Sequence, residues 1–119
     1  MVSKEIKALI AAKMLSDALK SRGKVLSVAE SITGGLIGTL ITDIPGSSSV
    51  FWGSLVTYSN SSKQKILGIK EGTLSAYGAV SREVVEEMAE RVLALAESDI
   101  SLAVSGYAGG NGDMSENTG

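Results

Sequence analysis

The sequence predicts an α/β fold, a sheet covered by helices, and three observations predict it. Three short runs rich in β-branched and apolar residues have strand length: "KVLSVAE" (24–30), "VFWGSLVTYS" (50–59) and "DISLAVSG" (99–106). Stretches with apolar residues at helical spacing stand before and between them. Each strand-like run passes straight into a polar segment, at 30–35, 57–63 and 105–110. Alternation of helix and strand is the pattern of an α/β sheet covered by helices, and ligands of such sheets collect at the carboxyl ends of the strands.

Residues 3–21 place Ile6, Leu9, Ile10, Met14, Leu15 and Leu19 on one helical stripe, and Gly23 is a stop. After the first strand, Ser31 or Thr33 is in place to cap a helix over about 34–43. "DIPGSSS" (43–49) holds the single proline and reads as a loop. Gly53 inside the second strand signals a bulge or a close backbone approach, and Phe51 and Trp52 beside it read as core. Asn60 and Gly68 bracket a short helix, and a second short helix ends at Gly78. The clearest helix follows Ser81, with Glu83 and Glu86 near its positive end and a stripe of Val84, Val85, Met88, Val92 and Leu95. The third strand is nearly continuous in apolar residues, as strands buried on both faces are. Residues 107–119 read as a glycine-rich loop or tail, an abrupt ending for an α/β unit.

A chain of 119 residues supports one domain with one core. Eleven basic and 13 acidic residues leave a net charge of −2, so no basic field invites nucleic acid or an anionic membrane. No apolar run reaches the roughly 18 residues of a membrane span. The N-terminal stretch lacks the pattern of a secretory signal, which makes a cytoplasmic location the expectation. The chain has no His and no Cys. That excludes a thiol nucleophile, an imidazole or thiolate metal site, a disulfide, and a Ser-His-Asp triad within this chain. No acidic cluster points to a metal held by carboxylates alone, and no cofactor is expected.

"VAESITGGLIG" (28–38) ends a strand in a hydroxyl- and glycine-bearing turn ahead of a helix. It reads either as a capped βα turn or as an anion or oxyanion site in front of Ser31. "TYSNSSK" (57–63) places Tyr58 at a strand end and Lys63 five residues on. Lys63 is either a solvated helix charge or a base, since Ser-Lys pairs replace the His triad when burial lowers the lysine pKa. "VSGYAGGNG" (104–112) again sets a hydroxyl and glycines after a strand, as donors to a ligand or as a loop.

Taken in order, "VAESITGGLIG", "DIPGSSSVFWGSLVTYSNSSKQKILGI", "TLSAYGAVSREVVEEMAE" and "SLAVSGYAGGNG" resemble the CinA C-terminal domain family, from about residue 5 to the end. That family includes stand-alone nicotinamide-nucleotide amidases. The resemblance implies a three-layer α/β/α sandwich, a single domain over 1–119 that is incomplete because the family's last strands and helix are missing. It implies metal-free hydrolysis of nicotinamide mononucleotide to nicotinate mononucleotide and ammonia. It also implies Ser31 as nucleophile, Lys63 as general base and Tyr58 as a hydroxyl assisting proton movement. Glu30, Thr33, Gly34, Gly35, Ser105 and Gly106 would hold the substrate. Two positions depart from the pattern. Ile32 stands where the family commonly has Cys, and Gly110 where its third motif has Pro. After Arg91 no basic residue remains to meet the nucleotide phosphate. The alternative is a nucleotide-binding or interaction module of the same fold without turnover. A small-molecule nucleotide is the expected partner, and a homo-oligomer the expected assembly, because a three-strand fragment leaves a strand edge uncovered.

Overall fold

The computed structural model describes residues 3–107; the glycine-rich segment 108–119 lies outside the described residues. Helix α1 (Lys4–Arg22) starts at Ser3, whose hydroxyl accepts from the Ile6 N–H, and stops at left-handed Gly23. Strand β1 (Leu26–Glu30) leads to α2 (Leu36–Thr42). A single 3-10 turn (Ser47–Ser49) inside the expected loop precedes β2 (Phe51–Val56). Helix α3 (Asn60–Ser62) runs on as a π-helical turn (Lys63–Leu67). Then come α4 (Glu71–Tyr77), α5 (Arg82–Ala96) and β3 (Ile100–Val104). The cap of α3 is Ser59, one residue before the expected Asn60, with its hydroxyl accepting from the Ser62 N–H.

The sheet is parallel with strand order β2-β1-β3. Strand alternation sends successive side chains of β1 to opposite faces. Leu26 and Val28 pack with Leu19, Ile41 and Val50, on the side of α1 and α2. Ala29 packs with Leu67, Ile69, Leu74, Val84, Met88 and Val92, on the side of α4 and α5. Helices therefore cover both faces, which is the three-layer arrangement expected. Because α2 connects β1 to β2 over one face and α3–α5 connect β2 to β3 over the other, the carboxyl end of β1 is a topological switch point. Such points leave a crevice where ligands bind.

Four expectations change. Strand β3, expected to be buried on both faces, is an edge strand of the sheet with Ile100 and Leu102 exposed. The stripe Ile6, Leu9, Ile10, Met14 and Leu15 of α1 is exposed among the described residues. The face that packs is Ala12, Ser16 and Leu19; α1 lies against the short α2, and Leu19 joins the core of Leu26, Val28, Ile41 and Val50. Trp52 is exposed rather than core. It is the extra residue of the bulge foreseen at Gly53: Leu26 pairs with Phe51 but Ser27 with Gly53, which leaves Trp52 unopposed. On α5, Val84, Met88 and Val92 form the buried line, while Leu95 in the last turn is exposed.

Among the described residues no helix is long and apolar enough to cross a membrane.

Candidate active site

The site is built at the switch point. Ser31 follows β1, and its N–H still donates to the Val104 carbonyl of β3 at 3.1 Å. Strand alternation therefore carries from Ala29 to Ser31, which faces α5. Its neighbours across the sheet are Thr57 on the β2 side, whose N–H donates to the Glu30 carbonyl at 2.8 Å, and Ser105 on the β3 side. Three hydroxyl residues thus form one row on one face. Ser105 spends its hydroxyl on the Ala79 carbonyl at 3.1 Å, and Gly106 beside it is half-buried.

Lys63 closes over that row. It is 1% exposed, and its Nζ lies 3.0 Å from Ser31 Oγ, itself on a residue 5% exposed. The same Nζ reaches the Thr57 carbonyl at 2.9 Å and the Tyr58 carbonyl at 3.0 Å. Carbonyls only accept, so two N–H bonds of Lys63 are fixed on them. The remaining position on nitrogen faces Ser31. In the ammonium form it is a third N–H; in the neutral form it is a lone pair aimed at the serine hydroxyl proton. Burial pushes the Lys63 pKa below its ordinary value, and no carboxylate pairs with it among the described residues. A buried amine whose lone pair meets a serine hydroxyl has the geometry to take that proton.

The backbone that carries Lys63 is held from outside the site. Leu67 and Ile69 sit in the α5-side core, and Arg91 Nε donates to the Leu67 carbonyl at 2.7 Å. Gly68 ends the turn with φ +73°, where a Cβ would fall 2.6 Å from the Arg91 guanidinium. Glu87 of α5 also accepts from the Lys70 N–H and the Thr73 hydroxyl, both at 2.7 Å, fixing the start of α4. The π turn widens the helix where Lys63 must reach inward, a distortion common at functional positions.

The Lys63 shift carries a stability signature. The unfolded chain keeps its proton up to the ordinary lysine value of 10.5, while the folded chain releases it earlier. Between those two points the unfolded state binds more protons, so stability rises with pH across that window. Urea titrations at a series of alkaline pH values are expected to show this rise, and Lys63→Met is expected to flatten it. A rise of equal slope in the variant would assign it to other groups.

Glu30, expected to hold substrate, is corrected to an internal anchor. It precedes Ser31 by one residue and therefore faces the other side of the sheet. It is 0% exposed. Its carboxylate accepts from Thr33 Oγ1 at 2.6 Å, from the Ile37 and Gly38 N–H groups at 2.9 Å each, and from Ser54 Oγ at 2.5 Å. Burial alone would raise its pKa, but these four hydrogen bonds outweigh it and hold the carboxyl below the usual carboxylate range. Glu30, not Ser31 or Thr33, is thus the acceptor at the start of α2, whose cap residue Gly35 provides no side-chain bond. The positive end of α2 is filled by a protein carboxylate, so it is not an anion site behind Ser31.

The turn 31–35 keeps its amides in another way. Gly34 (φ +62°) and Gly35 (φ +110°) take left-handed conformations that a side chain would strain, and the Gly34 N–H closes onto the Ser31 carbonyl at 3.1 Å. The Ile32, Thr33 and Gly35 N–H groups have no partner among the described residues. Thr33 spends its hydroxyl on Glu30. Tyr58 enters the site through its carbonyl. Its ring is 64% exposed, and its hydroxyl makes no hydrogen bond among the described residues. Thr57 was not singled out by the sequence, although residue parity could have found it: it lies two positions after Leu55, which faces the α5-side core. No group of three or more acidic residues among the described residues is arranged to hold a metal ion.

The model of the CinA C-terminal domain matches residues 9–119. The chain belongs to the CinA C-terminal domain family. Its relatives include a CinA-like protein of Endomicrobium trichonymphae, 60% identical over 86 residues that make up 72% of this chain and 20% of that protein. A protein of Enterobacter agglomerans named nicotinamide-nucleotide amidohydrolase PncC is 52% identical over 99 residues, 83% of this chain and 60% of that protein. Among solved structures, a competence-damaged protein (CinA) superfamily protein of Escherichia coli superimposes with a TM-score of 0.87 at 29% identity, covering 97% of this chain and 67% of that one. The chain therefore spans about a quarter or less of the CinA-like relatives' length and 60% of the amidohydrolase. This CinA-family chain carries Ser31 and Lys63 in hydrogen-bond contact at the carboxyl end of its central strand.

Proposed function

We propose that this protein hydrolyses the carboxamide of nicotinamide mononucleotide, giving nicotinate mononucleotide and ammonia, with Ser31 as nucleophile and Lys63 as base. The observation that carries the reading is the 3.0 Å contact between Lys63 Nζ and Ser31 Oγ, with the other two Lys63 hydrogens held by carbonyls. The name of the Enterobacter agglomerans relative supports the substrate.

Neutral Lys63 takes the hydroxyl proton as Ser31 Oγ attacks the carboxamide carbon. The C–O bond forms and the carbonyl π electrons move to oxygen. The Ile32, Thr33 and Gly35 N–H groups are the donors free to hold that oxyanion. The Lys63 ammonium then gives its proton to the departing nitrogen. The C–N bond breaks, ammonia leaves and an ester on Ser31 remains. Water attacks this ester as Lys63 takes its proton; the Lys63 ammonium returns that proton to Ser31 Oγ as the C–O bond breaks, and the acid leaves and loses its proton to solvent as the carboxylate. Substrate contacts fall to the turn at Thr33–Gly35 and to Ser105–Gly106, and the exposed Tyr58 ring borders the same strand end. The test is ammonia release from the nucleotide by the purified protein and by Ser31→Ala and Lys63→Met variants. Calorimetric binding without ammonia release would replace this reading with that of a binding module.

A homo-oligomer belongs to the same proposal, supported by the exposed α1 stripe of Ile6, Ile10 and Met14. The melting temperature is expected to rise with protein concentration. An invariant melting temperature together with a monomer mass would overturn the assembly.

A further inference from the structure

One hydroxyl in the site is unused. Thr57 is 0% exposed, and its Oγ1 has no hydrogen-bond partner among the described residues. A buried hydroxyl without a partner is destabilising, a cost that valine of the same shape would avoid. Thr57 also stands in a particular place. It flanks Ser31 across the sheet on the same face, and its own carbonyl binds Lys63 Nζ at 2.9 Å.

The number of hydrogens on Lys63 gives the hydroxyl a use. In the free protein three acceptors meet Nζ: the Thr57 and Tyr58 carbonyls and Ser31 Oγ. Once Ser31 Oγ has attacked, it is bonded to the substrate carbon in the tetrahedral adduct and is a poorer acceptor. The Lys63 ammonium formed in that attack has three N–H bonds, and only two carbonyls remain. We propose that the Thr57 hydroxyl is a positioning residue that accepts the third N–H of the Lys63 ammonium when Ser31 Oγ is no longer available. The catalytic role rests on the amidase reading above; the hydrogen-bond switch itself does not. Thr57 forms and breaks no covalent bond. It holds the proton on Lys63 in place until the leaving nitrogen takes it.

Among the described residues no charged group competes for this ammonium. Glu30 faces the opposite side of the sheet, and the Tyr58 ring and Lys65 are exposed. Glu87 is spent on Lys70 and Thr73, Arg91 on Leu67, and Tyr107 is exposed. Strands β2 and β3 carry no titratable side chain.

The test removes the serine acceptor without any substrate. Lys63 is titrated by NMR in four proteins, wild type, Thr57→Val, Ser31→Ala, and Ser31→Ala with Thr57→Val, and in a fifth as control, Ser31→Ala with Thr57→Ser. With Ser31 intact, Thr57→Val is expected to leave the Lys63 pKa in place, because the hydroxyl is unused there. In the Ser31→Ala background it is expected to lower the pKa by about one unit, the scale of one hydrogen bond to a charged group. Thr57→Ser in that background is expected to restore the value. Equal shifts in both backgrounds, or none in either, would overturn the proposal. Kinetics supply a second readout in the Ser31-intact proteins. Thr57→Val is expected to lower kcat, with the pH limb of kcat/KM unmoved, since that limb reports the free protein, in which Ser31 Oγ is still the acceptor. An unchanged kcat would overturn the catalytic role. Absence of ammonia release from the wild type would sink the amidase reading instead, and the four-protein titration would still decide the switch.

Discussion

Ammonia release from nicotinamide mononucleotide is expected to fall about a thousandfold when Lys63 is replaced by methionine, the scale of a lost general base. Methionine keeps the length and apolar character of the stem, so the Leu67 and Ile69 packing that positions the turn survives. Lys63→Arg is expected to lose as much. A guanidinium can donate to the Thr57 and Tyr58 carbonyls but stays protonated, and so has no lone pair for the Ser31 hydroxyl. Ser31→Ala is expected to lose at least as much again. The double variant should be no worse than the poorer single one, because a nucleophile and its base act as a unit. Half-retained activity in Lys63→Met or Lys63→Arg would remove Lys63 from proton transfer. Half-retained activity in Ser31→Ala would remove the covalent route.

Glu30→Ala is the largest stability effect expected from one residue, about 3 kcal/mol or more by urea unfolding, against a total of roughly 5–15 kcal/mol for a domain. Four donors lose their acceptor at once: the Thr33 and Ser54 hydroxyls and the Ile37 and Gly38 amides. Glu30→Gln retains one acceptor oxygen and is expected to lose about half as much. The acid limb follows from the same contacts. The folded pKa lies below the unfolded one, so the stabilisation is fully present above the unfolded value and is lost as pH falls through the folded value. Glu30→Gln is expected to flatten that acid limb. A variant with unchanged stability and an unchanged acid limb would show that Glu30 does not anchor α2.

The two faces of β1 explain which site residues were legible and which were not. Adjacent residues of a strand point to opposite sides, so Glu30 and Ser31 cannot share a pocket, although they share a motif. The same parity brings Thr57 beside Ser31. The partners of Ser31 were legible by exclusion, since a chain without His or Cys leaves few bases. Ser31 and Lys63 are 32 residues apart in the chain, and no local pattern measures the distance between them. Tyr58 was legible as a residue at a strand end, but its contribution through the carbonyl is a property of backbone direction. The α1 stripe was legible as a helix and illegible as a surface, because periodicity tells how a helix is sided and not what covers it.

The sequence by itself determined the α/β alternation of helix and strand, an irregularity of the second strand at Gly53, the stop at Gly68 and the restriction of chemistry to serine, lysine, tyrosine and carboxylates. These follow from local sterics and side-chain chemistry. Only the tertiary structure decided that Lys63 is buried against Ser31, that Glu30 seals the start of α2, and that Thr57 keeps a hydroxyl without a partner among the described residues. Each depends on which face of a shared sheet a residue takes and on what the crossing helices bring to that face. Burial and hydrogen-bond partners are set by packing over tens of residues.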